Sequence, residues 1–484
     1  MRASSQAALA ACCAAALACA SDGPRAVARE PSLPALGAGP PERVVLVSVH
    51  ALTPELYLAS DGAPAMPTLA ALASAGIAAE AMQPVFPPAS YPAHASLVTG
   101  RTPARHGVAA DQRLGDAGVE PDHPDQARAL EGTALWKAVA DAGGSVASLD
   151  WPTTVGAPIA DLLPDLETER PGASWPALMA QGTTPRVAEL ARRAGSERPE
   201  SWPHGAAHDA VLTSVACGLL GADPPPRLLL LRLAQTEAAL EHAPPGSPAV
   251  REAFASADRE IARLLECLRA KNRLATTAIA VVGDHGVLPV HTAIRPNRVL
   301  ADVGLLVVDP NGPRLLRWDA LARSNGGSAF VYARSAELAL DARRALEEAG
   351  RASGAFRVMS ADEMLNRGAD PEAWFGLEAA PGYAFEDGFA GSAVGPAAAL
   401  AVGGYAPEQP RMAAGFAAWG PGLRGPVRVP EMQQTDVAPT LAQLLGVPLA
   451  GAEGRVLVGL LRSEGAPAPV VEPAESPKRR PRGA

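Results

Sequence analysis

The sequence predicts an α/β protein whose mostly parallel sheet is covered by helices on both faces. Three observations lead there. The short apolar runs VVLVSV (44–49), RLLLLRL (227–233) and TTAIAVVG (276–283) are near-continuous rather than alternating, as in strands buried on both sides. Amphipathic helical patterns separate them, which is the rhythm of βαβ units. Each run also ends in polar residues able to bind a ligand, and open α/β sheets place their ligands at the carboxyl ends of strands.

The elements follow in chain order. MRASSQAALAACCAAALACASDG combines one Arg, an apolar Ala/Leu run and small residues before a Cys, and resembles a bacterial secretion signal. LAAC ending at Cys12 and ALAC ending at Cys19 both look like lipobox sequences; Cys19 leaves the more reasonable apolar length before it. No later stretch has the apolar length of a membrane span. The expected organisation is a lipoprotein-type signal at 1–19, a Pro/Ala/Gly-rich linker at 20–42, one folded domain at 43–462 and a disordered tail at 463–484. The expected location is across the inner membrane, in the periplasm or on the outer membrane as a lipoprotein.

VVLVSV opens the folded part as a strand. MPTLAALASAGI (66–77) reads as a helix stopped at Gly76. Prolines at 87, 88 and 92 preclude a regular helix before about Ala93, so the next helix begins at AHASLV and stops at Gly100. TALWKAVADAGG (133–144) is a helix leading into the strand SVASLDW, and RLLLLRL is the following strand. In the long helix 247–270, Phe254, Ala257, Ile261, Leu264, Leu265 and Leu268 recur every three or four residues and form one face. TTAIAVVGDHG (276–286) is a strand, and APTLAQLLGV (438–447) is a helix ended by Gly446. Cys217 and Cys267 either pair in an oxidising compartment or are buried thiols, and both alternatives stand.

A net charge of −9 argues against nucleic acid as a partner. The chemistry-bearing residues gather at strand ends. His50 terminates the first strand. Asp284 and His285 terminate a later one, where a carboxylate and an imidazole can bind one metal together, and Gly286 permits a sharp turn. Ser90 lies beside a helix N-terminus, where free N–H groups and the helix dipole favour an anion. A hydroxyl there can attack phosphorus if a metal lowers its pKa. Glu237 and His242 read as loop residues between a strand and a helix.

In combination these segments resemble the alkaline phosphatase superfamily, and within it the type I phosphodiesterase/nucleotide pyrophosphatase family. The blocks that carry the likeness are 66–108, LDWPTT (149–154), SPAVREAFASADREIARLL, VVGDHG (281–286), NGGSAFVYA (325–333) and 412–451. The resemblance covers roughly 43 to 460. It implies an alkaline-phosphatase-like three-layer sandwich, two adjacent zinc ions, and a small phosphate ester or nucleotide as substrate. By position it implies one metal site from His50, Ser90, Asp284 and His285, with Ser90 as nucleophile. It implies a second from Glu237 or Ala238, His242 and a late histidine. Asp111, in HGVAADQR, stands where the family often has a phosphate-contacting Asn.

The departures are specific. His50 stands where the pattern has Asp. Gly403 stands where it has the late His, and no His follows His291. Ser90 replaces the usual Thr, a chemically mild change. The pattern's second-site Asp falls on Ala238, or on Glu237 with a shift of one residue. Asp111 would repel a phosphate unless paired or protonated. Two readings follow. One is a secreted phosphodiesterase/nucleotide-pyrophosphatase-like hydrolase of phosphate esters or diesters with a zinc-activated Ser90 and impaired activity. The other is a pseudoenzyme of the same fold that acts as a cell-envelope binding module and keeps one zinc or none. A sulfatase is the weaker reading, because SYPAHAS lacks the Cys/Ser-x-Pro-x-Arg pattern. The membrane enters only through the N-terminal anchor.

Overall fold

The computed structural model describes residues 33–36, 39–58, 64–115, 118–120, 123, 126–165, 182–195, 205–309 and 314–462. The signal at 1–19 with Cys12 and Cys19, most of the 20–42 linker and the 463–484 tail lie outside the described residues. Its backbone is a three-layer α/β/α sandwich with a second, smaller lobe.

Eight strands form the central sheet: β1 (Arg43–Val49), β2 (Ile77–Ala79), β3 (Val146–Trp151), β4 (Asp161–Pro164), β5 (Leu228–Leu233), β6 (Thr277–Gly283), β7 (Phe416–Trp419) and β8 (Val427–Val429). Their spatial order is β8-β2-β7-β6-β1-β5-β3-β4. Only β7 runs antiparallel to its neighbours. The carboxyl ends of β1, β3, β5 and β6 therefore share one edge.

The helices divide between the faces according to strand alternation. Val45 and Val47 of β1 point to α1 (Pro67–Ala75), α4 (Pro185–Arg193), α5 (Ala206–Leu220) and α7 (Pro248–Ala270). Val44 and Leu46 point to α2 (Ser90–Thr99), α3 (Leu135–Asp141) and α9 (Val437–Leu445). The expected face of α7 is buried at every one of its six positions. Asp258 on the same helix accepts N–H bonds from Thr68 and Leu69, both 2.9 Å, and so caps α1 across the layer.

Two local expectations are revised and one open alternative is settled. Helix α2 starts at Ser90 rather than Ala93, and Pro92 is its third residue. The first four N–H groups of a helix have no intrahelical acceptor, so a proline there sacrifices nothing. Glu237 and His242 lie not in a loop but in a helix, α6 (Gln235–His242). Buried Asp209 of α5 caps it, accepting from Ala234 N at 3.1 Å and Gln235 N at 3.2 Å. That partner comes from another element, so the local sequence does not show it. Cys217 and Cys267 are disulfide-bonded and tie α5 to α7.

The smaller lobe is a four-stranded antiparallel sheet in the order 320–324, 328–333, 375–379, 356–359, packed by α8 (Ala336–Ser353). Gly326 presses on Gly403 and Gly327 on Tyr405; Tyr405 belongs to the lobe's own apolar core, and Gly403 reaches the sandwich at Pro88 and His285.

Candidate functional site

The parallel register sets the centre. Val49 of β1 pairs with Gly283 of β6, so His50 and Asp284 are the first residues beyond two neighbouring strands. A Cβ on Gly283 would stand 2.2 Å from the Leu52 carbonyl oxygen, so only glycine lets the chain after β1 pass this close.

Asp284 is fully buried and fully bonded. Its Oδ1 accepts the N–H groups of Ala51 and His285, both at 2.8 Å. Its Oδ2 accepts from His50 Nδ1 at 2.9 Å and from Ser90 Oγ at 3.0 Å. Gln434 Nε2 holds its main-chain oxygen at 2.7 Å, and Thr236 Oγ1 holds that of His50 at 2.7 Å. The His285 Nδ1–H donates to the Gly286 carbonyl at 2.9 Å. That bond leaves the Nε2 lone pair of His285 free to bind a metal. The rings of His50 and His285 meet edge to face, with centroids 5.1 Å apart.

The charges reinforce one another. Burial opposes a charge on His50, but the Asp284 carboxylate, assisted by Glu237, outweighs it and pushes the imidazole up to about 9. Burial likewise opposes ionisation of Asp284, yet His285 and His50 hold it well below the usual carboxylate range. Beneath Ser90, one helical turn on, lies fully buried His94. Burial lowers its pKa to about 4 and keeps it neutral. Its Nδ1–H donates to the Ser90 carbonyl at 2.7 Å, and its Nε2 accepts from Ser48 Oγ at 2.8 Å. His94 thus ties the start of α2 to β1.

His50, Asp284 and His285 each offer a ligand atom within 4.8 Å of the others, and all three are buried. Two imidazoles and a carboxylate, with Ser90 Oγ alongside, match the donor number and type of a catalytic zinc site with an open fourth position. No relay of the Ser-His-Asp kind exists here. Ser90 Oγ lies 3.3 Å from the same His50 Nδ1 that binds Asp284, so one ring nitrogen faces both partners.

The other sequence-selected residues lie outside this triad. Glu237 Oε2 accepts from Arg232 Nη2 at 2.6 Å. His242 is exposed at the end of α6, its Nδ1 bonded to the Ala238 carbonyl of its own helix at 2.8 Å. His291 is exposed and bonded to Thr292. Gly403 does reach the centre: a Cβ there would lie 2.8 Å from His285 Nδ1 and 2.7 Å from the Pro88 carbonyl oxygen. Asp111 Oδ1 accepts the Tyr91 N–H at 2.8 Å, so a carboxylate already occupies an N–H at the start of α2.

Sequence reasoning missed His94, Thr236, Gln434 and a charge cluster around Arg232. Two of these left a signal. His94 is four residues from Ser90, on the same helical face. Arg232 is the one charge in the leucine strand LLLLRL.

Comparisons with known proteins bear on the fold and on the family. The structure superposes on murine ectonucleotide pyrophosphatase/phosphodiesterase 5, inactive and in complex with AMP, with a TM-score of 0.62 and 18% identity. That match covers 87% of this chain and 99% of the other. The human protein of the same name gives a TM-score of 0.62 and 18% identity, over 87% of this chain and all of that one. These matches establish the alkaline-phosphatase-like fold. No curated protein matches the sequence. The family model described as type I phosphodiesterase/nucleotide pyrophosphatase matches residues 44–369, well over half of the chain. The chain therefore belongs to the type I phosphodiesterase/nucleotide pyrophosphatase family.

Proposed function

We propose that this protein hydrolyses phosphate esters or diesters, nucleotides among them, with Ser90 as nucleophile and His50, Asp284 and His285 as ligands of a zinc ion. The observation that carries the reading is the position of Ser90 Oγ. It stands at the first turn of α2, 3.0 Å from Asp284 Oδ2 and 3.3 Å from His50 Nδ1. The AMP bound by the murine relative supports a nucleotide-like ligand.

Among the described residues, Asp284 accepts the Ser90 hydroxyl proton in a hydrogen bond at 3.0 Å, but His285 and His50 hold that carboxylate well below its usual range, which makes it a weak base. A bound zinc ion would supply the missing activation by lowering the hydroxyl pKa and would neutralise charge on the phosphoryl oxygens. Ser90 Oγ would attack phosphorus as the ester P–O bond breaks and the alcohol leaves, giving a phosphoserine from a monoester or a serine phosphodiester from a diester; water would then cleave the Ser–O–P bond and restore Ser90. Asp284 holds the Ser90 hydroxyl in line, and His94 fixes the helix turn that presents it.

One observation favours the second reading, a binding module without turnover. The Asp111 carboxylate competes with a substrate phosphate for the Tyr91 N–H and repels it. The hydrolase is accordingly expected to be slow. The folded unit is 43–462. The Cys217–Cys267 bond supports export to an oxidising compartment, and among the described residues no helix is long and apolar enough to cross a membrane. Attachment through Cys19 remains part of the same reading.

The test is hydrolysis of bis(4-nitrophenyl) phosphate and of a dinucleotide by the zinc-loaded chain. Ser90→Ala should lose at least about 100-fold in kcat/KM while elemental analysis shows its zinc retained. A zinc-loaded wild type without turnover would sink the hydrolase and leave AMP binding, read by calorimetry, as the function to pursue.

A further inference from the structure

A second buried charge cluster adjoins the His50–Asp284–His285 centre. Arg232 of β5 is 3% exposed. Its Nη2 meets Glu237 Oε2 at 2.6 Å, while Nη1 lies 3.5 Å from Asp165 Oδ1 and 3.7 Å from Asp150 Oδ2. Carboxylates from β3, from the end of β4 and from α6 thus converge on one guanidinium. The two centres are neighbours: Arg232 pairs with Ser48 of β1, two residues before His50. Arg232 and Glu237 both act on the charge of His50.

The arginine fits this cage imperfectly. Asp150 Oδ2 is buried and has no hydrogen-bond partner among the described residues, and neither has Arg232 Nε. Asp150 is 2% exposed and sits at φ +58°, in the left-handed region that few non-glycine residues adopt. Burial, then the nearby Asp165, raise its pKa well above the carboxylate range, so Asp150 keeps a proton that a more closely bound cation would displace; its other oxygen lies 3.6 Å from His208 Nε2. Buried carboxylates must be paired with a cation or coordinate a metal. An all-oxygen cage of this kind suits a hard divalent ion such as Mn²⁺. The residues expected to hold a second ion do not assemble, because Glu237 is committed to Arg232 and His242 is exposed on its own helix.

We propose that the Arg232 guanidinium is this protein's built-in second cation. It occupies the Asp150–Asp165–Glu237 cage permanently, so that the chain binds one divalent ion and not two. The count of one rests on the metal triad of the proposed function. The occupation of the cage by Arg232 does not.

The experiment is metal titration of the full chain with Zn²⁺ and with Mn²⁺, by calorimetry and elemental analysis. Wild type, Arg232→Met, Arg232→Lys and Arg232→Met/His285→Ala are compared. The expected result is one Zn²⁺ for wild type and for Arg232→Lys, which keeps the cation. Arg232→Met should gain one further ion, preferentially Mn²⁺, and should keep that ion when His285 is also replaced. Wild type with no ion, and Arg232→Met with one Mn²⁺, would refute the triad and still support the cage. Wild type with two ions, or an Arg232→Met that binds no more than wild type, overturns the proposal. Should Arg232→Met fold only poorly without metal, its Tm across a Mn²⁺ titration reads the same point. A saturable rise absent from wild type supports the cage, and no rise overturns it.

Discussion

Gly403 shows how much a single missing side chain decides. By sequence it is a lost histidine. In the structure it lies against the His285 ring, and a Cβ there would stand 2.8 Å from Nδ1 and 2.7 Å from the Pro88 carbonyl oxygen. Contacts that short force a neighbour to move. The Pro88 oxygen is main chain and also accepts the Gly404 N–H at 2.8 Å, so the His285 ring is what gives way. Restoring the histidine of the family pattern at 403 would therefore disturb the ligand beside it. Even Gly403→Ala should break the bond from His285 Nδ1 to the Gly286 carbonyl, which orients the ring. It should weaken zinc binding by about 10- to 100-fold, as the loss of outer-shell support does elsewhere. A competition titration against a chromophoric chelator measures this, and an unchanged affinity would remove His285 from the ligand set. The residue types at the centre were legible because His50, Ser90, Asp284 and His285 each sit at an element end. The fit around Gly403 was not, since three distant segments create it.

At the level of elements, apolar runs and glycine stops located β1, β3, β5, β6 and the helices α1, α7 and α9, because both signals are local. The failures were of another kind. Helix α6 exists because Asp209, twenty-six residues before Gln235, caps it, and α2 starts early because first-turn N–H groups have no acceptor for Pro92 to forfeit. The smaller lobe went unread because its strands are four to six residues long and lack a clean alternation of buried and exposed positions. The disulfide belongs to this scale as well. Composition left Cys217 and Cys267 open, and only the packing of α5 on α7 brings their Cα atoms to 5.5 Å. Closing a loop of 50 residues stabilises the fold by about 4 kcal/mol through the entropy of the unfolded chain. Cys217→Ser/Cys267→Ser should lower the thermal midpoint by several degrees, and reduction of the wild type should reproduce that loss. A variant melting at the wild-type midpoint would mean the bond contributes no net stability.

Across the whole molecule, buried titratable groups set how the fold responds to acid, and they pull in opposite directions. Burial lowers His106 from 6.5 to about 3; its ring is fully buried between Ser96 Oγ, 2.9 Å from Nε2, and the Val108 N–H, 3.1 Å from Nδ1. His94 behaves alike at about 4. Between pH 6.5 and these values the unfolded chain binds protons that the folded chain refuses, so both groups remove stability as pH falls. Asp209 and Asp387 do the reverse. Burial raises them to about 7 and about 6, so the folded chain takes their protons first, and falling pH relieves the cost of burying their charge. Two of these terms of each sign overlap between about pH 6 and pH 4, where they offset one another. Removing one side exposes the other. His106→Gln keeps a donor for Ser96 and deletes the titration. It should be less stable than wild type at pH 7, where the native ring packs best. That deficit should shrink by about 1.4 kcal/mol for each pH unit below 6. Urea midpoints of the two proteins at pH 6.5, 5.5 and 4.5 measure the difference. Two curves that stay parallel would mean that His106 is protonated in the folded state and that its buried, neutral environment has been misread.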